Sequence, residues 1–178
     1  LFDFRTQFFD GYTYTGDSGA LSSTLLSPAY MLLSQGLDFK VVKNFSAFIS
    51  PITVRWTIMA SNRLVEKGLY GVPVNQHSVL ELGAFASLNY AAAIMKNVSY
   101  RGRMDLFSNY QHQPGNVDMF FTNMLSFKIN KYLSASYNLD MIYDDDVKLF
   151  GPAKTSPGLQ LKSLIGIGFM LPFSPVAH

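Results

Sequence analysis

A chain of 178 residues with a net charge of +2 is long enough for one domain with a sizeable core or for a small closed barrel, and short for two domains. Its Lys and Arg residues are scattered, which sets nucleic acid aside as a partner, and only 15% of residues are charged where a water-soluble domain carries about 25%, so something other than water is expected to cover apolar surface. The absence of cysteine excludes a disulfide scaffold and a thiolate metal site; no stretch is apolar enough for a membrane-spanning helix, so contact with lipid would require a closed barrel of strands.

Residues 1–9 alternate Phe2, Phe4 and Phe8 with Asp3, Arg5 and Gln7, a period of two that predicts a strand. Residues 30–42 set Met31, Leu33, Leu37, Phe39 and Val41 against Ser34, Gly36, Asp38 and Lys40. After Lys43-Asn44 a third run puts Phe48, Ile52, Val54, Trp56 and Ile58 opposite Thr53, Arg55 and Thr57. The fourth, 79–95, separates Leu80, Leu82, Ala84, Ala86 and Leu88 from Glu81, Gly83, Ser87 and Asn89. In the fifth, 98–110, Tyr100, Met104 and Leu106 face away from Arg101, Arg103 and Asp105. The sixth, 117–130, sorts Met119, Phe121, Leu125 and Phe127 from Asp118, Thr122, Ser126 and Lys128, and the seventh, 133–143, sorts Tyr137, Leu139 and Met141 from Ser136, Asn138 and Asp140. The eighth, 159–173, opposes Ile165, Ile167, Phe169, Leu171 and Phe173 to Gln160, Lys162, Gly166 and Gly168.

The junctions alternate in length. Lys43-Asn44, Lys96-Asn97 and Asn130-Lys131 make short turns at every second junction, where Asn is expected to take the positive φ of a tight hairpin. The intervening connections, 10–28, 61–78, 111–116 and 144–158, are longer and rich in Gly, Pro, Ser and Asn. Short turns at one end, long loops at the other and an even strand count predict an all-β, antiparallel up-and-down transmembrane barrel of about eight strands over 1–173, with a short tail at 174–178. The long loops would be extracellular, and the short turns and both termini periplasmic.

A soluble barrel would bury its apolar face; here that face is continuous Leu, Ile, Phe and Met, while the other carries charges of both signs. The expected lumen network is Asp38, Lys40, Arg55, Glu81, Arg101, Arg103, Asp105, Lys128, Asp140 and Lys162, with Asp3 and Arg5, among Gly and Ser that leave room for long side chains. Trp56, Leu82, Leu88, Phe121, Phe127, Leu139, Ile167 and Phe169 are expected to face lipid. Rings near strand ends, such as Phe8, Phe9, Tyr12, Tyr14, Tyr110 and Tyr132, suit two interfacial girdles.

FRTQFFDGY (4–12), LSPAYMLLSQGLDFK (26–40), FSAFISP (45–51), DLFSNY (105–110), NKYLSASYNLDMIYDDD (130–146) and LQLKSLIGIGF (159–169) resemble the carboxy-terminal part of an uncharacterised outer-membrane β-barrel family of the Bacteroidota, a domain of unknown function. The resemblance covers nearly the whole chain. It implies strands upstream of Leu1, up to about twelve in all, and a final strand similar to the signal read by the barrel-assembly machinery. It implies no activity or catalytic residue.

Candidate chemistry is sparse, and no cofactor or metal is expected. Asp144-Asp145-Asp146 lack the spaced ligands, the Gly turn and the distal Glu of a calcium loop and read as a solvated rim. His77, His112 and His178 lie in loops or the tail; His112 with Ser108 and Asp105 is the nearest approach to a nucleophile set, but alternation puts Ser108 and Asp105 on opposite faces. The expected function is therefore a non-enzymatic structural or accessory subunit in the bacterial outer membrane, in contact with membrane lipids, lipopolysaccharide and other outer-membrane proteins. A narrow channel for small solutes or anions, biased by Arg55, Arg101 and Arg103, is the alternative, and a lipid-modifying enzyme stands third.

Overall fold

The computed structural model describes residues 1–145, 150 and 156–170. Eight strands form one antiparallel sheet: β1 (Phe2–Thr6), β4 (Ala29–Val42), β5 (Phe45–Ile58), β6 (Ser78–Met95), β7 (Val98–Asn109), β8 (Val117–Lys128), β9 (Leu133–Tyr143) and β10 (Gln160–Phe169), side by side in that order. β2 (Gly11–Thr15) and β3 (Ser18–Ser23) make a separate hairpin, and α1 (Asn62–Val65) is a single helical turn. Among the described residues β1 pairs only with β4 and β10 only with β9, so the sheet has two free edges and hydrogen bonding does not close it. No described helix is long and apolar enough to cross a membrane. Leu171, Phe173, Asp146 and the tail 174–178 lie outside the described residues.

Each alternating run becomes a strand because period-two patterning fits a pleated sheet with two unlike faces. The pairing register shows how completely the faces are sorted. One row runs Phe39, Ala47, Leu88, Met104, Phe121, Met141, Leu161 across seven strands. The adjacent row, one residue along each strand and on the opposite face, runs Lys40, Ser46, Asn89, Arg103, Thr122, Asp140, Lys162.

The short turns sit at one end, with a backbone different from the one expected. Among the described residues the non-glycine positive φ angles belong to Leu26, Tyr70, Asn75 and Gln113, so Asn44 and Asn97 are not left-handed. A bulge does the work instead. Val42 pairs with Phe45 but Lys40 with Ser46, leaving Val41 extra; Met95 pairs with Val98 but Ala93 with Ser99, leaving Ile94 extra. The added residue supplies the local twist that a mirror-image turn would otherwise provide. The Asn44 carbonyl then accepts the Ala91 N–H at 2.9 Å and the Asn97 carbonyl the Lys128 N–H at 2.8 Å, each stitching its turn to the next strand. The third connection is longer than Asn130-Lys131: Ile129 and Asn130 both donate backbone N–H to the Leu133 carbonyl, and the Asn130 side-chain oxygen accepts from the N–H of Tyr132 and Leu133.

A third irregularity, in the middle of β4 and β5, corrects the face of Phe48. Gln35 pairs with Ile52 and Leu37 with Ile49, so Gly36 on β4 and Ser50-Pro51 on β5 fall out of register together. Proline, lacking an N–H, suits such a break. Below it the parity of β5 inverts: Phe48 pairs with Asp38 and Ser87 and joins the polar face, while Ile49 turns outward and is half exposed. Thr53 Oγ1 lies 2.9 Å from both Ser34 Oγ and Ser50 Oγ, so buried hydroxyls partner one another at the irregularity.

The hydrophobic cluster is not on the sheet. Met59, Leu64, Val65 and Val72, packed by Leu21, Leu69 and Val79, form it beneath the long connections after β1 and β5. Lys67 Nζ donates to the Leu21 carbonyl at 2.7 Å and the Tyr70 hydroxyl to the Ser22 carbonyl at 3.1 Å, binding the 59–77 loop to the β2–β3 hairpin. The region expected to be loop after β1 thus holds an ordered hairpin, turned at Gly16-Asp17 with Gly16 at positive φ.

Candidate functional site

The polar face carries the chemistry, and Arg55 organises its loop end. β5 places Arg55 directly opposite Glu81 of β6, and the pair is bidentate: Nε to Oε2 at 2.6 Å and Nη2 to Oε1 at 2.9 Å. Nη1 reaches Asp118 Oδ2 of β8 at 2.7 Å, and Asn109 Nδ2 donates to Glu81 Oε1 at 2.9 Å. Two strands, β6 and β7, separate β5 from β8. On a flat sheet that distance is about 14 Å, beyond the joint reach of an Arg and an Asp, so the sheet curls with this face concave. A cavity of about 240 Å³ on this face is lined from β1 (Asp3, Arg5) round to the end of β9 (Ile142, Tyr143), which brings the two flanks of the sheet near each other.

Beneath Arg55 lies an aromatic layer that the alternation did not reveal. The Arg55 guanidinium sits 4.1 Å from the centre of the Phe107 ring, within range for a cation–π contact. Phe107 pairs with Phe85, and Phe85 meets Phe48 at 6.3 Å between ring centres. Phe120 pairs with Asp105 on the same face. Phe85 and Phe107 are buried, and rings and ion pair together line the cavity in the upper half of the concavity.

Deeper toward the short turns the charges are less matched. Arg103 Nε lies 2.9 Å from Asp105 Oδ1, which also accepts from Ser87 Oγ at 2.6 Å, and Lys162 lies 3.9 Å from Asp140. Register puts Asp38, Lys40, Arg101 and Lys128 on the same face, but no ion pair joins them to other described residues. The expected lumen residues therefore share a face without forming one network. Asp118, omitted from that set, is the residue that ties β8 to Arg55.

The opposite face places Trp56, Leu82, Leu88, Phe121, Phe127, Leu139, Ile167 and Phe169 outward. Its polar groups include the Tyr100 hydroxyl, which donates to Asn123 Oδ1 at 2.6 Å beside Tyr90 with Gly102 leaving room for the Tyr100 ring, and Ser163, whose hydroxyl lies 3.3 Å from that of Tyr137.

The nucleophile set is not assembled: Asp105 is on the polar face, Ser108 donates to the Pro114 carbonyl at 2.7 Å on the other, and His112 is exposed in the loop between β7 and β8. Asp145 accepts from Asn116 and from the Tyr143 hydroxyl, and among the described residues no group of three His, Asp or Glu is placed to hold a metal ion. His77 Nδ1 lies 2.9 Å from the Met59 carbonyl, inside the loop cluster. Comparison of the chain with family models, with curated proteins and with solved structures finds no match in any of the three.

Proposed function

We propose that the chain is a transmembrane β-barrel of a bacterial outer membrane, with its long loops outside and its short turns toward the periplasm, acting as a non-enzymatic structural or accessory subunit. The observation that carries this is the pair of adjacent rows: seven strands offer an unbroken apolar row outward and, one residue along, a charged and hydroxylated row on the concave side. Water is a poor solvent for that outer face, where Leu161 is 65%, Ile165 75% and Ile167 78% exposed, and among the described residues no second sheet lies against it. Hydrocarbon suits it, and the seven strands of that row, 10 to 18 residues long, are long enough to cross a bilayer, whereas β1 has five residues. The free edges β1 and β10 are where such a barrel would close.

Within this reading the interior does not conduct. Arg55, held by Glu81 and Asp118 above an aromatic layer, reaches across the concave side and narrows the path an ion would take. The loops then become the working surface, since the hairpin and the 59–77 segment form a shaped cap on which outer-membrane partners can dock. Planar-bilayer recordings of the purified protein test the non-conducting interior: silence is expected, and discrete anion-selective conductance would replace this reading with that of a narrow channel fed by Arg101, Lys40 and Lys128. Mild-detergent extraction tests the accessory role, which predicts a stoichiometric outer-membrane companion; a lone monomer would contradict it.

A further inference from the structure

The two ends of the sheet differ in charge. The short-turn end carries Lys43, Lys96 and Lys131 in its turns, with Lys40, Arg101 and Lys128 close by, against Asp38 as its carboxylate. All six cations are exposed. The long-loop end, among the described residues, sets Asp10, Asp17, Glu66, Asp144 and Asp145 against Arg63 and Lys67. A fold needs no such asymmetry, and all three short turns repeat it, two with the same bulged backbone and the third in a longer turn.

Each turn lysine also has an apolar neighbourhood. Val41 and Val42 precede Lys43 and are each 61% exposed, Ile94 and Met95 precede Lys96 at 56% and 65%, and Lys131 Nζ stands 4.8 Å from the centre of the Tyr132 ring beside exposed Ile129. Ammonium groups carried just beyond a belt of exposed aliphatic and aromatic side chains match the layered chemistry of a lipid leaflet, acyl chain below and phosphate above. A soluble polyanion would match the charge but leave the aliphatic belt uncovered.

We propose that this rim binds the phosphate headgroups of anionic phospholipids in the leaflet on the short-turn side, so that the protein selects phosphatidylglycerol-like lipids there and not at its loop end. The proposal rests on the barrel reading above. Its test places an indole at the rim (Tyr132→Trp with Trp56→Phe) and uses native Trp56 as the reporter for the other end. Both proteins are reconstituted in phosphatidylcholine vesicles containing brominated phosphatidylglycerol or, in parallel, brominated phosphatidylcholine, and quenching is measured. Expected is an apparent association about fivefold stronger for phosphatidylglycerol at the rim, weakened by salt and abolished by Lys43→Gln/Lys96→Gln/Lys131→Gln, with no preference at Trp56. Equal quenching by the two lipids at the rim, or a preference that survives the triple substitution, would overturn the proposal. Heat-modifiable mobility measured on the same vesicles reports insertion separately; a protein that inserts in neither would overturn the barrel reading and this one with it.

Discussion

Arg55→Met removes the cation that joins β5, β6 and β8 while preserving most of the side-chain volume over Phe107. Two carboxylates that the guanidinium holds, at 2.6 Å and 2.7 Å, are left facing each other on the concave side. Breaking a fully buried pair costs about 3 to 5 kcal/mol, because the remaining charge is desolvated without compensation. Here the side chains keep some contact with solvent, 22% for Arg55, 12% for Glu81 and 18% for Asp118, which lowers the expected cost to about 2 to 4 kcal/mol. Adding Glu81→Gln and Asp118→Asn neutralises the carboxylates and should recover more than half of that loss. The assay is urea unfolding of the protein in detergent micelles, followed by Trp56, whose strand carries the substitution. A loss below about 0.5 kcal/mol for Arg55→Met, or a triple variant no more stable than the single one, would refute the claim that the trio bridges the concave face.

Leu88→Lys should cost about 2 to 4 kcal/mol in lipid, whereas inserting one residue at Lys43-Asn44 should be tolerated; comparing the two by urea unfolding in vesicles checks the outward assignment. Gly36→Ala would drive a Cβ into the Ile49 carbonyl oxygen at the paired bulges, so a loss of about 1 to 3 kcal/mol is expected in the same assay. Tyr100→Phe leaves the Asn123 amide short of its donor on the apolar face and should lose about 1 to 3 kcal/mol, a loss that Tyr100→Phe/Asn123→Leu should largely relieve in a double-mutant cycle. Leu64→Ala opens a cavity in the loop cluster and should make the 59–77 segment the preferred site of limited proteolysis while heat-modifiable mobility stays unchanged.

Periodicity carried the sheet well and failed where the backbone itself is irregular. The eight runs map onto eight strands because one buried and one exposed partner per residue pair leaves a period of two in the side chains. That signal has no means of registering an extra residue, so the break at Ser50-Pro51 inverted Phe48; Pro51 within an alternating run was the available clue. The Lys-Asn repeat marked the turns, but the bulges at Val41 and Ile94 lie in residues that read as ordinary strand. The β2–β3 hairpin lies in a Gly- and Ser-rich stretch that reads as loop, although Tyr-Thr-Tyr-Thr followed by Gly-Asp is a short strand and turn. At the site, charge type and face were legible, but which cation meets which carboxylate depends on curvature: Asp118 finds Arg55 across two intervening strands, a distance that no spacing along the chain encodes. The phenylalanines of the concave face were hidden for a related reason, since apolar residues were expected outward and Phe85, Phe107 and Phe120 sit inward to fill the space around the charges.

The chain contains no cysteine, so single cysteines can be introduced one at a time along β6 and spin-labelled in a membrane. Collision with dissolved oxygen, which concentrates in hydrocarbon, and with a water-soluble nickel complex gives the environment of each position. The barrel account predicts a strict alternation over residues 80–88: high oxygen and low nickel accessibility at Leu80, Leu82, Ala84, Ala86 and Leu88, and low oxygen accessibility at Glu81, Gly83, Phe85 and Ser87. Loss of that alternation, or high nickel accessibility at Leu82 and Leu88, would contradict it.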